Sequence, residues 1–206
     1  MKLDLHVHSR YSKDSLISLK SLKKKSLRTG ICPIITDHNT IKGNIAYNCP
    51  ILAEEISTLD GHVIGYFLTE HIRPKLTAIE TIELIHEQGG LACIPHIFDN
   101  VRKNSLNDKE IAKKSDIIEI FNARVQRHSH NNLALDFAIS NRKLKSVGSD
   151  AHWLPEFGKN YIEIEDFNSV KEFKKNLKKA NFFTQRNSIL YLIGTKFYND
   201  TIRRII

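Results

Sequence analysis

The sequence predicts an α/β fold with a largely parallel sheet, and three observations carry that expectation. Short apolar runs alternate with longer helical patterns along the chain, the order is β, α, β throughout, and the length is 206 residues. No dinucleotide-binding fingerprint supports an open, doubly wound sheet, and an eight-fold barrel usually needs ~250 residues. A smaller or irregular barrel fits this length.

Leu3 to Val7 reads as the first strand, with Leu3, Leu5 and Val7 alternating with Asp4, His6 and His8. Leu16, Leu19, Leu22 and Leu27 then recur at helical spacing and stop at Gly30. The next strands are Ile31 to Thr36, Pro50 to Ala53 and Val63 to Leu68. A helix carried by Ile79, Ile82, Leu84 and Ile85 ends at Gly89-Gly90, and strands follow at Leu91 to Pro95 and Ile117 to Phe121. Leu133, Phe137 and Ala138 mark a helix before Asn141, then come strands Lys145 to Gly148 and Tyr161 to Ile164. Val170, Phe173 and Leu177 give the last helix, and Ile189 to Ile193 reads as a final strand. The lysine runs Lys23-Lys24-Lys25, Lys113-Lys114, Lys174-Lys175 and Lys178-Lys179 fall on predicted helices, as solvated outer faces do. The tail from Phe182 to Ile206, ending Ile202-Arg203-Arg204-Ile205-Ile206, would close the barrel or meet a partner.

With 41% hydrophobic and 26% charged residues the chain can bury one sizeable core, and no Pro/Ser-rich linker or internal repeat divides it, so residues 1–206 are expected to form one domain. Lys and Arg number 31 against 23 Asp and Glu, a net charge of +8 that favours anionic partners without choosing among phosphate esters, nucleic acid and membrane surface. Three scattered cysteines, Cys32, Cys49 and Cys93, make no disulfide framework and point to a reducing cytoplasm. Asp4 and His6 interrupt the apolar residues of the N-terminus, and no apolar run approaches the ~18 residues of a membrane span. A cytoplasmic protein without a membrane partner is expected; oligomeric state leaves no signature.

The unusual number is ten histidines. On a strand, His6 and His8 share a face with Asp4, so two imidazoles can reach one metal ion. Asp14 follows in a loop that can fold back over the strand end. Ile34-Ile35-Thr36-Asp37-His38 is an apolar strand ending in Asp-His, and the carboxyl ends of parallel strands are where functional side chains gather. Glu54 and Glu55 follow Ala53, His62 opens the next strand, His96 closes Leu91 to Pro95, and Asp150 and His152 follow Gly148. Six histidines thus fall at strand edges beside Asp14, Glu55 and Asp150. Nine nitrogen and oxygen ligands without thiolate suit Zn, Mn or Fe, and nine is too many for one ion, so two or three divalent ions are implied. By contrast His128-Ser129-His130 enters a helix, where residues two apart diverge, and reads as a surface segment near the site mouth. His71 and His86 read as structural.

Four motifs, Asp4-Leu5-His6-Val7-His8-Ser9 with Ser12 and Asp14, Thr36-Asp37-His38-Asn39-Thr40, Glu55 with His62 and Pro95-His96, and Gly148-Ser149-Asp150-Ala151-His152, together resemble the PHP (polymerase and histidinol phosphatase) domain superfamily of metal-dependent phosphoesterases. The resemblance spans residues 3 to 152, and it implies that 153–206 completes the barrel. It implies a distorted, TIM-like (β/α)7 barrel with a trinuclear centre at the carboxyl ends of the strands. By the same resemblance one ion is held by His6, His8, Glu55 and Asp150, a second by Glu55, His62 and His96, and a third by Asp14, His38 and His152. Ser12-Lys13-Asp14 carries one residue more than the Ser-Asp-Gly form of the family's first motif.

The implied activity is hydrolysis of a phosphate ester of a small metabolite or nucleotide by attack of a metal-bound hydroxide on phosphorus, with Glu55, Asp150 and His152 as catalytic residues. Three divalent ions outweigh three carboxylates and a hydroxide, leaving a positive pocket for a phosphate dianion. Arg124, after the strand Ile117 to Phe121, is placed either to bind that phosphate or to form a structural salt bridge. Asp37 would orient an imidazole, and Arg10, Lys13 and Arg127 are weaker candidates. The rival readings are a nuclease or exonuclease-like phosphodiesterase on oligonucleotides, with Tyr11, Phe98, Phe121 and Trp153 available for stacking, an amidohydrolase-type reaction on a similar site, and a non-catalytic nucleic-acid-binding barrel.

Overall fold

The computed structural model describes residues 1–198 and 201; the motif Ile202-Arg203-Arg204-Ile205-Ile206 lies outside the described residues. Nine strands and seven α-helices follow one another among the described residues, alternating except where β3 leads directly to β4 and where only the short 3-10 turn Leu154–Glu156 separates β7 from β8. They are β1 (Lys2–Val7), α1 (Leu19–Thr29), β2 (Ile31–Ile35), α2 (Lys42–Tyr47), β3 (Ala53–Ser57), β4 (His62–Tyr66), α3 (Ala78–Glu87) and β5 (Leu91–Ile94). Then come α4 (Lys109–Ala112), β6 (Ile117–Asn122), α5 (His128–Ser140), β7 (Leu144–Gly148), β8 (Tyr161–Glu163), α6 (Val170–Leu177), β9 (Asn181–Phe183) and α7 (Ile189–Phe197). Local chemistry sets the helix ends. Ser18 caps α1 by accepting from Ser21 N, and Gly30 ends it at φ 70°; Thr77 and Glu80 form a reciprocal capping box on α3.

The fold is mixed α/β, as expected, but it is less parallel than the sequence suggests. β1 runs parallel to β2, β5 to β6 and β6 to β7, whereas β4 is antiparallel to both β3 and β5. The strands form two sheets, ordered β2-β1-β8-β9 and β3-β4-β5-β6-β7, not one continuous closed sheet. The reason lies at the free edge of β1, where β8 pairs antiparallel with Lys2 and Leu3. Only the carboxyl end of that edge is left for the segment after β7, through the bridge Val7–Ala151 and the bond Asp150 N→His6 O of 2.8 Å. On the other side, the bridge His38–Glu55 joins the end of β2 to β3.

Three further expectations are corrected. Pro50 to Ala53 is not the third strand, which begins at Ala53 and runs to Ser57. Ile189 to Ile193 is helical within α7, because Ser188 caps it by accepting from Leu190 N and a short apolar run alone does not separate strand from buried helix. Lys113-Lys114 and Lys178-Lys179 lie just beyond the ends of α4 and α6. No described helix is long and apolar enough to cross a membrane.

The core is formed by apolar faces of the strands, with Leu3, Leu5, Ile34, Ile64, Ile117 and Val147 fully buried in one cluster. Gly148 lets β7 approach β1 at the level of the histidines: a Cβ there would overlap the His6 Cβ and lie 2.5 Å from Glu119 Oε1. Gly148→Ala is therefore expected to destabilise the fold by about 1–3 kcal/mol, the usual range for overpacking a filled site. Urea denaturation measures this, and an unchanged midpoint would show that β7 can yield.

Candidate metal centre

All nine histidines and carboxylates singled out in the sequence meet at one end of the strands. His6 and His8 come from β1 and its end, His38 from the end of β2, Glu55 from β3, His62 from β4, His96 from the end of β5, and Asp150 and His152 from the segment after β7. β4 contributes its first residue because it runs antiparallel, so its amino end lies level with its neighbours' carboxyl ends. Pleating separates the two adjacent glutamates. Glu55 enters the cluster, while Glu54 turns away to pair with His71 Nδ1 at 2.8 Å and accept from Ile72 N.

Glu55 is the hub. Its Oε1 lies 2.9 Å from His62 Nδ1 and 3.1 Å from His96 Nε2; its Oε2 lies 3.1 Å from His38 Nδ1, 3.3 Å from His8 Nε2 and 3.6 Å from His6 Nε2. Asp150 Oδ1 stands 3.4 Å from His8 Nε2 and 3.6 Å from His6 Nε2. Despite the longer loop before it, Asp14 is brought in, with Oδ2 at 3.3 Å from His38 Nε2 and 3.1 Å from His152 Nε2. Potential ligand atoms gather in three overlapping groups: His6, His8 and Glu55; His38, Glu55 and His62; and His8, Asp14, His38 and His152.

Several of these approaches are not hydrogen bonds. His62 Nδ1, His38 Nδ1 and Asp150 Oδ1 are buried without a hydrogen-bond partner, although Glu55 oxygens lie 2.9 and 3.1 Å from the two imidazoles and His8 Nε2 lies 3.4 Å from Asp150. Their lone pairs face shared space instead of each other, an arrangement that is costly unless a cation occupies it. The three groups hold five imidazoles and two carboxylates, with His96 3.1 Å from Glu55 and Asp150 3.4 Å from His8 beside them, and this nitrogen and oxygen donor set fits divalent metal ions.

The electrostatics divide the imidazoles. Burial opposes protonation of His8, yet Asp150 and Glu55 lift its pKa to about 9, and Glu119 with Asp150 raises His6 well above the ordinary value. His96 and His152 are pushed down to about 4 by burial, aided by Arg102 and Arg124 respectively. Burial favours the neutral forms of Glu55 and Asp150, but His62 and His38 hold Glu55 well below the carboxylate range, and Arg102 and His6 do the same for Asp150.

Three groups outside the nine fix the ring orientations. Glu119 Oε1 meets His6 Nδ1 at 2.9 Å while Oε2 accepts from His96 N and Asn122 Nδ2. Ser12 Oγ lies 3.1 Å from His8 Nδ1 and accepts from His38 N, and Ser105 faces His96 Nδ1. Glu119 was not singled out in the sequence, although a lone carboxylate in Ile117-Ile118-Glu119-Ile120-Phe121 is a readable signal. Asp37, expected to orient an imidazole, instead accepts from Ser9 N and Ser9 Oγ, both at 2.6 Å, and so shapes the loop after β1. The His128-Ser129-His130 segment is also different from expectation, since His130 is buried with Nδ1 3.3 Å from Asp99. Backbone strain marks the site, with His96 at φ 34° and Asp150 at φ 51°.

Above the cluster lies a cleft with two lobes that share Asp14, His38, His62 and Asn104. The larger, about 930 Å³, is lined by Arg10, Tyr11, Lys13 and Lys42, and the smaller, about 490 Å³, by Arg102, Arg124 and His152. Arg102, which no sequence pattern marked, donates from Nη1 to Asp150 Oδ2 at 2.7 Å. Arg124 lines the smaller lobe and is ion-paired, with Nε 3.1 Å from Glu156 Oε1. Arg127 precedes α5 without a side-chain capping bond and lines neither lobe.

A family model described as PHP-associated matches residues 128–182. The chain is 38% identical over 191 residues to the uncharacterised protein MJ0417 of Methanocaldococcus jannaschii, a match spanning 86% of this chain and 79% of that relative. Its fold is similar to that of a Bifidobacterium adolescentis protein assigned as a metal-dependent phosphoesterase, with TM-score 0.59 and 16% identity over 73% of this chain and 87% of that one. It is also similar to the lesion-specific endonuclease PfuEndoQ of Pyrococcus furiosus, with TM-score 0.63 and 18% identity, covering 88% of this chain and 57% of that one.

Beneath the cluster, Asp4 is wholly buried; it accepts from Ser149 N at 3.0 Å, but its Oδ2 has no partner and burial lifts its pKa to about 7. A carboxyl group that binds its proton more tightly when folded contributes its stability fully below the unfolded value of 3.8 and loses it as pH rises towards 7. Asp4→Asn cannot ionise, so in chelator-treated protein the melting temperature of the variant relative to wild type should climb between pH 4 and 7 and level off above. A constant difference across that window would count against the buried, protonated Asp4.

Proposed function

Because the chain belongs to the PHP superfamily, we propose that it is a metal-dependent hydrolase acting on phosphate esters, with its reacting centre at the nine converging ligands. The observation that carries this reading is the set of buried, unpartnered ligand atoms on His38, His62 and Asp150 aimed into shared space. In this reading residues 1–206 form one domain, and β1 to β7 make a distorted barrel whose two bridges, Val7–Ala151 and His38–Glu55, complete the ring. Three free cysteines suit a cytoplasmic location.

His6, His8, Glu55 and Asp150 would hold one ion, Glu55, His62 and His96 a second, and Asp14, His38 and His152 a third, as Zn, Mn or Fe. Divalent ions, when bound, supply Lewis acidity toward phosphoryl oxygens and acidify water. The chain's own residues do the rest. Glu119, Ser12 and Ser105 hold the Nδ1 atoms of His6, His8 and His96, which turns each Nε2 toward the centre. Glu55, Asp150 and His152, the catalytic set, would face the scissile phosphate as metal ligands; in the metal-free site their surroundings already favour ionised Glu55 and Asp150 and neutral His152. Arg102 and Arg124 offset the charge of a phosphate entering the smaller lobe.

The preferred substrate is a phosphorylated small metabolite or nucleotide. A second reading, an oligonucleotide phosphodiester, is favoured by the larger lobe, where Arg10, Lys13 and Lys42 accompany the exposed ring of Tyr11.

Elemental analysis is expected to find two to three bound ions, with Mn²⁺-stimulated phosphate release from an aryl phosphate or a nucleotide. His8→Ala or Asp150→Ala should abolish both, and full turnover by either variant would sink the proposal. Glu119→Gln should lower metal affinity or activity about 10–100-fold. Metal loading near pH 7 should release protons, since the surrounding carboxylates favour the protonated forms of His6 and His8 in the free site, where the two Nε2 atoms lie 3.1 Å apart and share a proton; titration calorimetry in buffers of different ionisation enthalpy reads the number. An oligonucleotide substrate would show affinity falling steeply with salt, whereas a small ester would show a shallow dependence.

A further inference from the structure

Helix α7 has an inverted pattern. Ile189, Leu190, Ile193 and Phe197 face outward at 55%, 70%, 57% and 61% exposure, while the hydroxyl-bearing Thr195 is buried. Hydrophobic burial alone would not orient a helix in this way. Two contacts explain it. The helix packs against Trp153 at Gly194, where a Cβ would lie 2.5 Å from the indole Cη2, and Thr195 Oγ1 accepts from Arg124 Nη2 at 2.5 Å.

The donor and acceptor inventory of that hydroxyl is complete. Its single hydrogen goes to the carbonyl of Tyr191 or Leu192, at 3.0 and 3.1 Å, which leaves a lone pair for Arg124. At the guanidinium's Nε, Glu156 Oε1 stands 3.1 Å away. The Glu156 carboxylate is itself immobilised, since Oε2 accepts from His152 N and Trp153 N and Oε1 from Asn187 Nδ2. Arg124 is thus held by a hydrogen bond at Nη2 and by the charge of Glu156 beside Nε, whose geometry is that of an ion pair and not of a hydrogen bond, and Nη1 meets no acceptor among the described residues. Together with Asp14, His38 and His152 the residue lines the smaller lobe.

We propose that Thr195 and Glu156 are positioning residues that clamp Arg124 so that its free edge meets the substrate phosphate, making α7 a working part of the site. This rests on the phosphoesterase reading above. A fixed guanidinium loses less entropy on binding a phosphate than a mobile one and presents its donors at a set angle. Glu156 also fixes the backbone of His152, so one buried carboxylate aligns the phosphate-binding arginine with a candidate metal ligand.

The test compares wild type, Thr195→Val and Thr195→Ser, all loaded with Mn²⁺, by titration calorimetry with inorganic phosphate and by steady-state hydrolysis of an aryl phosphate. Valine keeps the shape and removes the acceptor, so phosphate affinity should fall about tenfold or more and KM rise in parallel, with kcat within about twofold. Serine should restore both. Wild-type affinity in Thr195→Val, or equal losses in valine and serine variants, would overturn the clamp and leave the phosphoesterase reading standing. Absence of both phosphate binding and hydrolysis in the wild type would overturn the two together.

Discussion

Five imidazoles, from β1, β2, β4 and β5 or their ends, approach the one buried carboxylate of Glu55 within 2.9–3.6 Å. Such a cluster cannot be neutral and relaxed at once. A carboxylate with no cation beside it is costly to bury, and rings that share its oxygens without hydrogen-bond geometry present lone pair to lone pair. The chain meets this constraint partly with protons, which raises His6 and His8, and partly with Arg102 on Asp150. Divalent ions would satisfy the remaining acceptors more fully than protons do. A proton serves one pair, whereas an ion can accept from three or four groups at once.

The same constraint accounts for irregularities in the sheets. Ligands from six strands or their ends must arrive at one level, yet the antiparallel β4 presents its amino end there, so His62 opens its strand, whereas Glu55 lies at the middle of β3 and His6 and His96 lie in or beyond the later part of theirs. Gly148 gives up a side chain so that β7 can approach His6, and His96 and Asp150 take left-handed backbone conformations that cost on the order of 1–3 kcal/mol each. Backbone bonds hold them there: Asp150 N donates to His6 O, and His96 N donates to Glu119. Local strain is thus carried where the ligands converge and is offset by the buried apolar faces below.

Much of the site was legible in the sequence because its signals are local. A histidine or carboxylate ending a short apolar run is visible without knowing which strands are neighbours, and pleating alone separates Glu54 from Glu55. What was not legible depends on pairing between distant segments. β4 reads the same in either direction, so its orientation has no local mark. Asp37 sits beside His38 in sequence, but the fold returns it to Ser9. Glu119 and Arg102 acquire meaning only when β6 and the loop after β5 meet His6 and Asp150. The helix of Ile189–Phe197 shows the limit most clearly. Its apolar run resembles a strand, its outward face is the more hydrophobic one, and the residue that anchors it, Thr195, is chosen by an arginine 71 positions away. Periodicity records which residues avoid water, and it is silent wherever a buried polar contact, not hydrophobic burial, decides which way an element faces.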